Sequence, residues 1–332
     1  MTSALEHSFN QTRRPSLPAR IMGQQVFWVF IAAVLVCLAL TLATDTFATE
    51  RNLFNVTRNF AFIAIIAIGM TTVIASGGID LSVGASVVLS AVVVGIAMAA
   101  GLPFWLAAPL ALGAALIVGL INGILIAYLG IPPFVATLGM LSIARSMALV
   151  LSDNKMIYQF GPDHALLLGL GGGNVLGLPN PLLVLCVIAM VMSLVYRWTR
   201  WGQHVFAIGG NEQAAKLTGI AVRPMKVTIY MFSAFTAGLA GILMVGWLGS
   251  VTTNLGTAME LAVIAAAVIG GANLSGGEGS VLGAVIGALL IEVIRNSLIL
   301  LGISTFWQGA FIGSFIVLVV AFDRLKRFRF LW

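Results

Sequence analysis

Residues 61–100 read "AFIAIIAIGMTTVIASGGIDLSVGASVVLSAVVVGIAMAA", forty residues with one ionisable side chain, Asp80. Two apolar runs flank the break at "SGGID". Each run approaches the about 20 apolar residues that a helix needs to cross the hydrocarbon of a bilayer. The rest of the chain has the same character. Of 332 residues, 60% are hydrophobic and 8% charged, and the mean hydropathy is +1.07. A soluble domain carries about 25% charged residues. With so few charges no water-facing surface could be clothed, so this is an integral membrane protein. Thirty-seven glycines and long unbroken apolar runs favour helices over a barrel, whose strands would alternate. The fold class expected is all-α: a polytopic helical bundle of about ten transmembrane helices, with broken or short segments.

Ten candidate spans lie near 25–43, 57–76, 83–101, 104–128, 131–151, 182–198, 226–247, 258–272, 280–301 and 305–322. The weakest is 258–272, which is short and ends in Gly270-Gly271. An N-terminal tail (1–24), a transmembrane domain (25–322) and a basic tail (323–332) follow from this division. Cytoplasmic termini put twelve of the seventeen Lys and Arg inside and three outside (Arg51, Arg58 and Lys155). Arg145 and Arg295 fall within spans. That asymmetry fits the positive-inside rule. It also explains the pI of 9.8 without any nucleic-acid partner. The rule places loop 199–225 in the cytoplasm and the Gly- and Pro-rich loop 152–181 in the periplasm. Asp163, in that solvated loop, is expected to matter less than Asp80. "TRRPSL" at 12–17 reads as anchoring charge before the first span.

Several chemistries are absent. Cys37 and Cys186 lie in apolar segments, which excludes a Cys-based zinc site. His7, His164 and His204 have no metal-ligand spacing. There is no Gly-x-x-x-x-Gly-Lys-Ser/Thr loop to cradle a nucleotide's phosphates. No catalytic or metal-binding residues are expected.

An internal echo is present. "GGIDLSVGASVVLSAV" at 77–92 parallels "GGANLSGGEGSVLGAV" at 270–285. Matching Gly-interrupted segments mark the solute path in transporters built from repeats, although Gly- and Val-rich sequence also produces such matches by chance.

The polar stretch 199–227, "TRWGQHVFAIGGNEQAAKLTGIAVRPMKV", contains a predicted small helix at 212–218. Asn211 is a favoured N-cap. Glu212 suits the first turn, and Lys216 follows it at i,i+4. Gly219 can take the left-handed conformation that ends a helix. Two turns are not stable alone in water, so something must hold them. Ala214 and Ala215 are small enough for another surface to approach the backbone. From the residues alone, docking to a partner and resting on its own protein both stay open.

"GGNEQAAKLTGI" resembles the coupling loop of permease subunits in ribose-type ABC importers. The resemblance extends to "AIGMTTVIASGGIDLSVGA" (67–85), "IPPFVATLGML" (131–141) and "MELAVIAAAVIGGANLSGGEGSVLGAVIGALL" (259–290). It implies a homodimer in the bacterial inner membrane, with a central translocation path. It implies a periplasmic sugar-binding protein outside and a cytoplasmic ATPase inside, which would hold the ATP and Mg; this chain needs no cofactor. It implies solutes such as pentoses, hexoses or inositol. The coupling contact would fall on Gly210, Asn211, Glu212, Ala214, Ala215, Lys216 and Gly219. On that reading Ala215→Arg should block docking and leave the spans intact.

Polar side chains inside spans are costly and default to functional candidates. Candidates for the path are Asp80, Asn122, Asn273, Glu292, Asn296 and Gln308. Each has a structural reading too. Asp80 and Asn273 could hold broken-helix turns, Asn122 could bond a neighbouring helix, and Glu292 could neutralise Arg295 three residues on. Arg145 is expected to snorkel or to pair with a carboxylate, and Glu260 to be interfacial. Rival functions are a branched-chain amino acid permease and a self-sufficient secondary transporter. The second would need ion or proton sites and no docking helix. A membrane enzyme would need a polar cluster that this sequence does not supply.

Overall fold

The computed structural model describes residues 25–304, 307–311, 313, 314 and 317. Both expected tails, and much of the expected span 305–322, lie outside the described residues. Seven described helices are long and apolar enough to cross a membrane. They are α1 (Gln25–Ala43), α2 (Glu50–Ala75), α4 (Phe104–Ala127), α5 (Pro133–Leu151), α7 (Asn180–Trp198), α10 (Val222–Leu248) and α12 (Val281–Leu300). Two apolar helices are shorter: α3 (Val83–Ala99) and α11 (Met259–Ile269). The expected ten spans are therefore seven plus two shorter helices among the described residues. The 11 residues of α11 rise about 16 Å, half of the roughly 30 Å hydrocarbon core.

Helix α2 is the centre of the molecule. Thr49 caps it by accepting the Asn52 N–H, and Gly77, at φ +82°, closes its far end. Every residue from Phe60 to Ala75 is buried. A helix apolar on all sides belongs inside a bundle, and α2 packs against α10, α12, α11 and α7. Within lipid, apolar burial does not drive helices together, so close backbone packing of small residues does much of that work. A Cβ at Gly119 of α4 would stand 2.5 Å from the Tyr230 carbonyl of α10, and one at Gly123 would stand 2.6 Å from the Val227 Cα. The α4–α10 contact is thus backbone against backbone. The α11–α12 contact is made in the same way, through Gly270 just past the end of α11 and Gly283 of α12.

Arg58 departs from expectation. It belongs not to a loop but to the third turn of α2, buried. Its guanidinium lies 4.4 Å from the Trp247 ring centroid and 5.6 Å from that of Phe54, and donates to Asn55 Oδ1 at 2.7 Å. Cation–π contact and one hydrogen bond let the charge sit among aromatics.

Loop 152–181 is more ordered than its composition suggests. It contains α6 (His164–Gly172) and a hairpin of β1 (Asn174–Val175) and β2 (Leu178–Pro179). Helix α6 presses Leu167 and Gly171 onto α10. Asp163 is not free in solvent; its Oδ2 accepts the Phe104 N–H at 2.8 Å, at the start of α4.

Candidate functional site

Three polar features interrupt the apolar bundle. The first is the break between α2 and α3. Asp80 is fully buried there. Its Oδ1 accepts the Ser82 N–H at 2.9 Å and the Ser82 hydroxyl at 2.6 Å, and its Oδ2 accepts the Ser233 hydroxyl of α10 at 2.8 Å. Asn122 of α4 donates to Ser82 Oγ at 2.8 Å, and the Tyr230 hydroxyl of α10 donates to the Ile79 carbonyl at 3.3 Å. The carboxylate therefore fastens the break to α10, and Ser82, which it holds, carries the bond to α4. Asp80 does not cap α3, whose N-cap residue Ser82 accepts no capping bond. Asp80 and Asn122, both proposed for a path, are brought together inside the protein rather than along an open surface.

Asn273 lies in the second break, between α11 and α12. The same local turn recurs, with Asn273 Oδ1 accepting the Ser275 N–H at 3.0 Å. The surroundings differ, because Asn273 is only half-buried and reaches Glu278 at 3.4 Å. The other three path candidates gather on a seam between α12, α2 and the following segment. Asn296 and Asn52 exchange amide bonds at 2.9 and 3.2 Å, and Arg295 Nε donates to Gln308 Oε1 at 3.0 Å. Glu292 is buried against Asn59. It forms no ion pair with Arg295. The ion pairs among the described residues are Lys155–Asp153, Lys216–Glu212 and Lys226–Glu212. Arg295 turns to the Gln308 amide instead, and Arg145 donates to the Thr257 hydroxyl at 3.0 Å rather than to a carboxylate.

The third feature is the polar loop. It holds two helices, α8 (Arg200–Gly210) and α9 (Glu212–Leu217). Asn211 Oδ1 accepts the Ala214 N–H at 3.0 Å, and Gly219 takes φ +86° past the far end. Glu212 meets Lys216 at 2.7 Å and also Lys226, from the first turns of α10, at 2.6 Å. These two ammonium groups hold the Glu212 carboxyl below the usual carboxylate range. Ala215 is buried against Ile208 and Val222. Of the two alanines only Ala214 is exposed, beside Gln213 and Leu217.

Helix α8 escaped the sequence reading. Its signal was Thr199, which caps it by accepting the Gly202 N–H at 3.2 Å, followed by Trp201, Val205 and Ile208 at helical spacing. At its last turn, a Cβ on Gly209 would overlap the Ala75 carbonyl of α2 and approach the Gly277 N at 2.6 Å. The Ala75 carbonyl in turn accepts the Gly277 N–H at 2.9 Å. The loop thus touches both helix breaks through backbone.

Glu212→Ala should cost no more than about 1 kcal/mol, since both pairs are partly solvated. With a lowered pKa, the contribution of Glu212 is fully present above the ordinary carboxylate value of about 4.3 and is lost as pH falls through the lower folded value. Hydrogen exchange over 212–217 should therefore be faster in the variant at pH 7. Equal rates would remove the ion pairs from the account.

With this geometry in view, the comparisons with known proteins are decisive. The family described as branched-chain amino acid transport system / permease component matches residues 52–320. The chain belongs to this permease family. Its relatives are more informative than the family's description. The permease is 36% identical over 293 residues to "Ribose import permease protein RbsC" of Haemophilus influenzae, covering 88% of this chain and 90% of the relative. It is 38% identical over 299 residues to the protein of the same name from Escherichia coli K12, covering 89% and 92%. It is 34% identical over 308 residues to "D-allose transport system permease protein AlsC" of Escherichia coli K12, covering 90% and 93%. The ribose-type resemblance of "GGNEQAAKLTGI" therefore holds along the chain, and the permease is a multi-pass membrane protein of the importer type. No solved structure matches it.

Proposed function

We propose that the permease is the membrane subunit of an ATP-driven importer for a monosaccharide or polyol. In this reading two copies form the path, a separate ATPase docks at α8–α9, and a periplasmic binding protein docks at loop 152–181. The relatives named for ribose and allose support the solute class. The family's description names branched-chain amino acids instead, and uptake of labelled ribose and leucine by the same complex separates the two.

The observation that carries the docking assignment is on α9. Its inner face is already occupied by its own protein through Ala215 and the Glu212–Lys226 pair. Leu217, at 90% exposure, stands on its outer face in a polar stretch. A short amphipathic helix with one exposed apolar anchor fits a groove on a partner. Leu217→Arg should weaken ATPase docking roughly thirtyfold, as removal of an anchor worth about 2 kcal/mol does. Permease abundance should not change. Ala215→Arg is the less telling variant, because its side chain would force α9 off Ile208 and Val222. Retention of the ATPase on purification and sugar uptake are the measurements. If Leu217→Arg keeps both, the ATPase docks elsewhere.

Sidedness has its own test. Single cysteines at Asp153 and Gln213, in a background without Cys37 and Cys186, should react with an impermeant reagent from opposite sides. Reaction from one side would overturn the assignment of loop 152–181 to the periplasm and of 199–225 to the cytoplasm.

A further inference from the structure

Between α10 and α11 the chain is irregular. Val251 pairs with Ile157 of loop 152–181 through bonds of 2.7 and 3.2 Å, and its side chain lies beside Gly95 of α3. Five residues on, the Gly256 carbonyl abuts Gly84 of the same helix. Gly84 and Gly95 are eleven residues apart, about 16 Å along a helix. The Gly95 end of α3 borders loop 152–181, since Gly161 packs on the Met98 carbonyl. Gly256 therefore lies about 16 Å further along α3 from that loop than Val251 does, an offset of about half a hydrocarbon layer roughly 30 Å thick.

Irregular backbone at that depth survives only if it is buried in protein or lines a water-filled cavity. Here Asn254, Thr257 and Ala258 are exposed, and Ala258 holds φ +59° to start α11. Polar side chains converge on the same segment. Arg145 of α5, six residues before the end of that helix, donates to Thr257 Oγ1 at 3.0 Å. Glu260, half-buried in the first turn of α11, turns its Oε2 against Gly84 of α3, with no hydrogen-bond partner among the described residues. A cation and the hydroxyl it holds, an exposed amide and a half-buried carboxylate thus lie on or beside one irregular segment. The other intramembrane polar groups, around Asp80 and along the Glu292 seam, lie at helix–helix contacts, where Asn122 Oδ1, Glu292 Oε2 and Gln308 Nε2 also lack partners among the described residues; what sets Thr252–Glu260 apart is exposed irregular backbone.

We infer that the segment Thr252–Glu260, with Arg145, lines the solute path and hydrogen-bonds the hydroxyls of a neutral polyhydroxylated solute. Donors and acceptors side by side, with opposite charges in balance, match vicinal hydroxyls. They suit neither an anion nor an amino acid's apolar side chain. The solute class rests on the importer reading above; the water-lined path does not.

The test uses the permease assembled with its ATPase in proteoliposomes, in a Cys37→Ser, Cys186→Ser background. Asn254→Cys and Thr257→Cys should react with an impermeant methanethiosulfonate, and excess ribose or allose should slow the reaction. Val187→Cys, on the exposed face of α7, should stay unreactive. Glu260→Gln and Thr257→Val should each lower sugar uptake about tenfold, as loss of one charge-assisted hydrogen bond does, at unchanged abundance and ATPase retention. If Asn254→Cys and Thr257→Cys are as unreactive as Val187→Cys, lipid or a second copy covers the segment and the inference fails. It also fails if they react but neither sugar protection nor an uptake defect follows. If the unmodified complex imports no sugar while the thiols still react, the importer reading falls and the water-lined segment stands.

Discussion

Asp80→Ala should leave little permease in the membrane, while Asp153→Ala should leave a normal amount. Asp80 is fully buried and is the acceptor for the Ser82 N–H and the hydroxyls of Ser82 and Ser233. Alanine would strand three donors in an apolar interior. Leaving one buried donor unsatisfied costs about 1–3 kcal/mol, so three together cost a large part of the stability of an ordinary domain. The damage would spread, because Asn122 binds Ser82 and the break links α2, α3, α4 and α10. Asp80→Asn keeps the shape and one carbonyl oxygen, so it should fall between the two. Asp153 is the proper control, with its carboxylate 80% exposed beside Lys155. Asp163 is not, since it holds the Phe104 N–H. Membrane abundance and melting of the detergent-purified protein decide the matter. Equal values for Asp80→Ala and Asp153→Ala would mean that the break is held by helix packing alone.

Gly209→Ala should be the most damaging single methyl group in the polar loop. The new Cβ would overlap the Ala75 carbonyl and stand 2.6 Å from the Gly277 N. All of these atoms are backbone, so no rotamer change can relieve the clash. Overpacking of this kind costs about 1–3 kcal/mol. Gly210, the next residue, has nothing within 4 Å of its Cβ position. Alanine there should be neutral or stabilising, because glycine inside a helix loses about 0.5–1 kcal/mol relative to alanine. Two identical substitutions at adjacent positions should thus move the melting temperature in opposite directions, or move only one of them. If Gly209→Ala melts like Gly210→Ala, α8 does not rest on the two breaks as tightly as described.

The sequence showed most of what local chemistry can show. The apolar runs located six of the seven long apolar helices within four residues at each end, because a span is defined by composition over a length; α2 begins seven residues before the expected 57, where a Thr49 cap and polar residues extend it. The ends of α9 were legible because capping is a local pattern: Asn211 before the helix and Gly219 after it. The echo of 77–92 in 270–285 was legible too, as a shared turn in which Asp80 and Asn273 each accept the N–H two residues on. The resemblance carried by "GGNEQAAKLTGI" is a local signal of the same kind.

What the sequence could not determine was which polar groups meet. Asp80 and Asn273 sit in matching motifs, yet one is locked inside the bundle and the other is half-exposed. Ala214 and Ala215 are the same residue side by side, yet only one faces outward. Glu212 was paired with Lys216 by spacing, but its shorter contact is to Lys226, brought close by the turn into α10. Thr257 meets Arg145 from 112 residues away, a contact that no local pattern around Asn254, Thr257 and Glu260 announces. Apolarity and capping are properties of a stretch of chain, so the sequence alone fixes them. Burial, pairing and exposure depend on which helices pack together, and only the tertiary structure decides that.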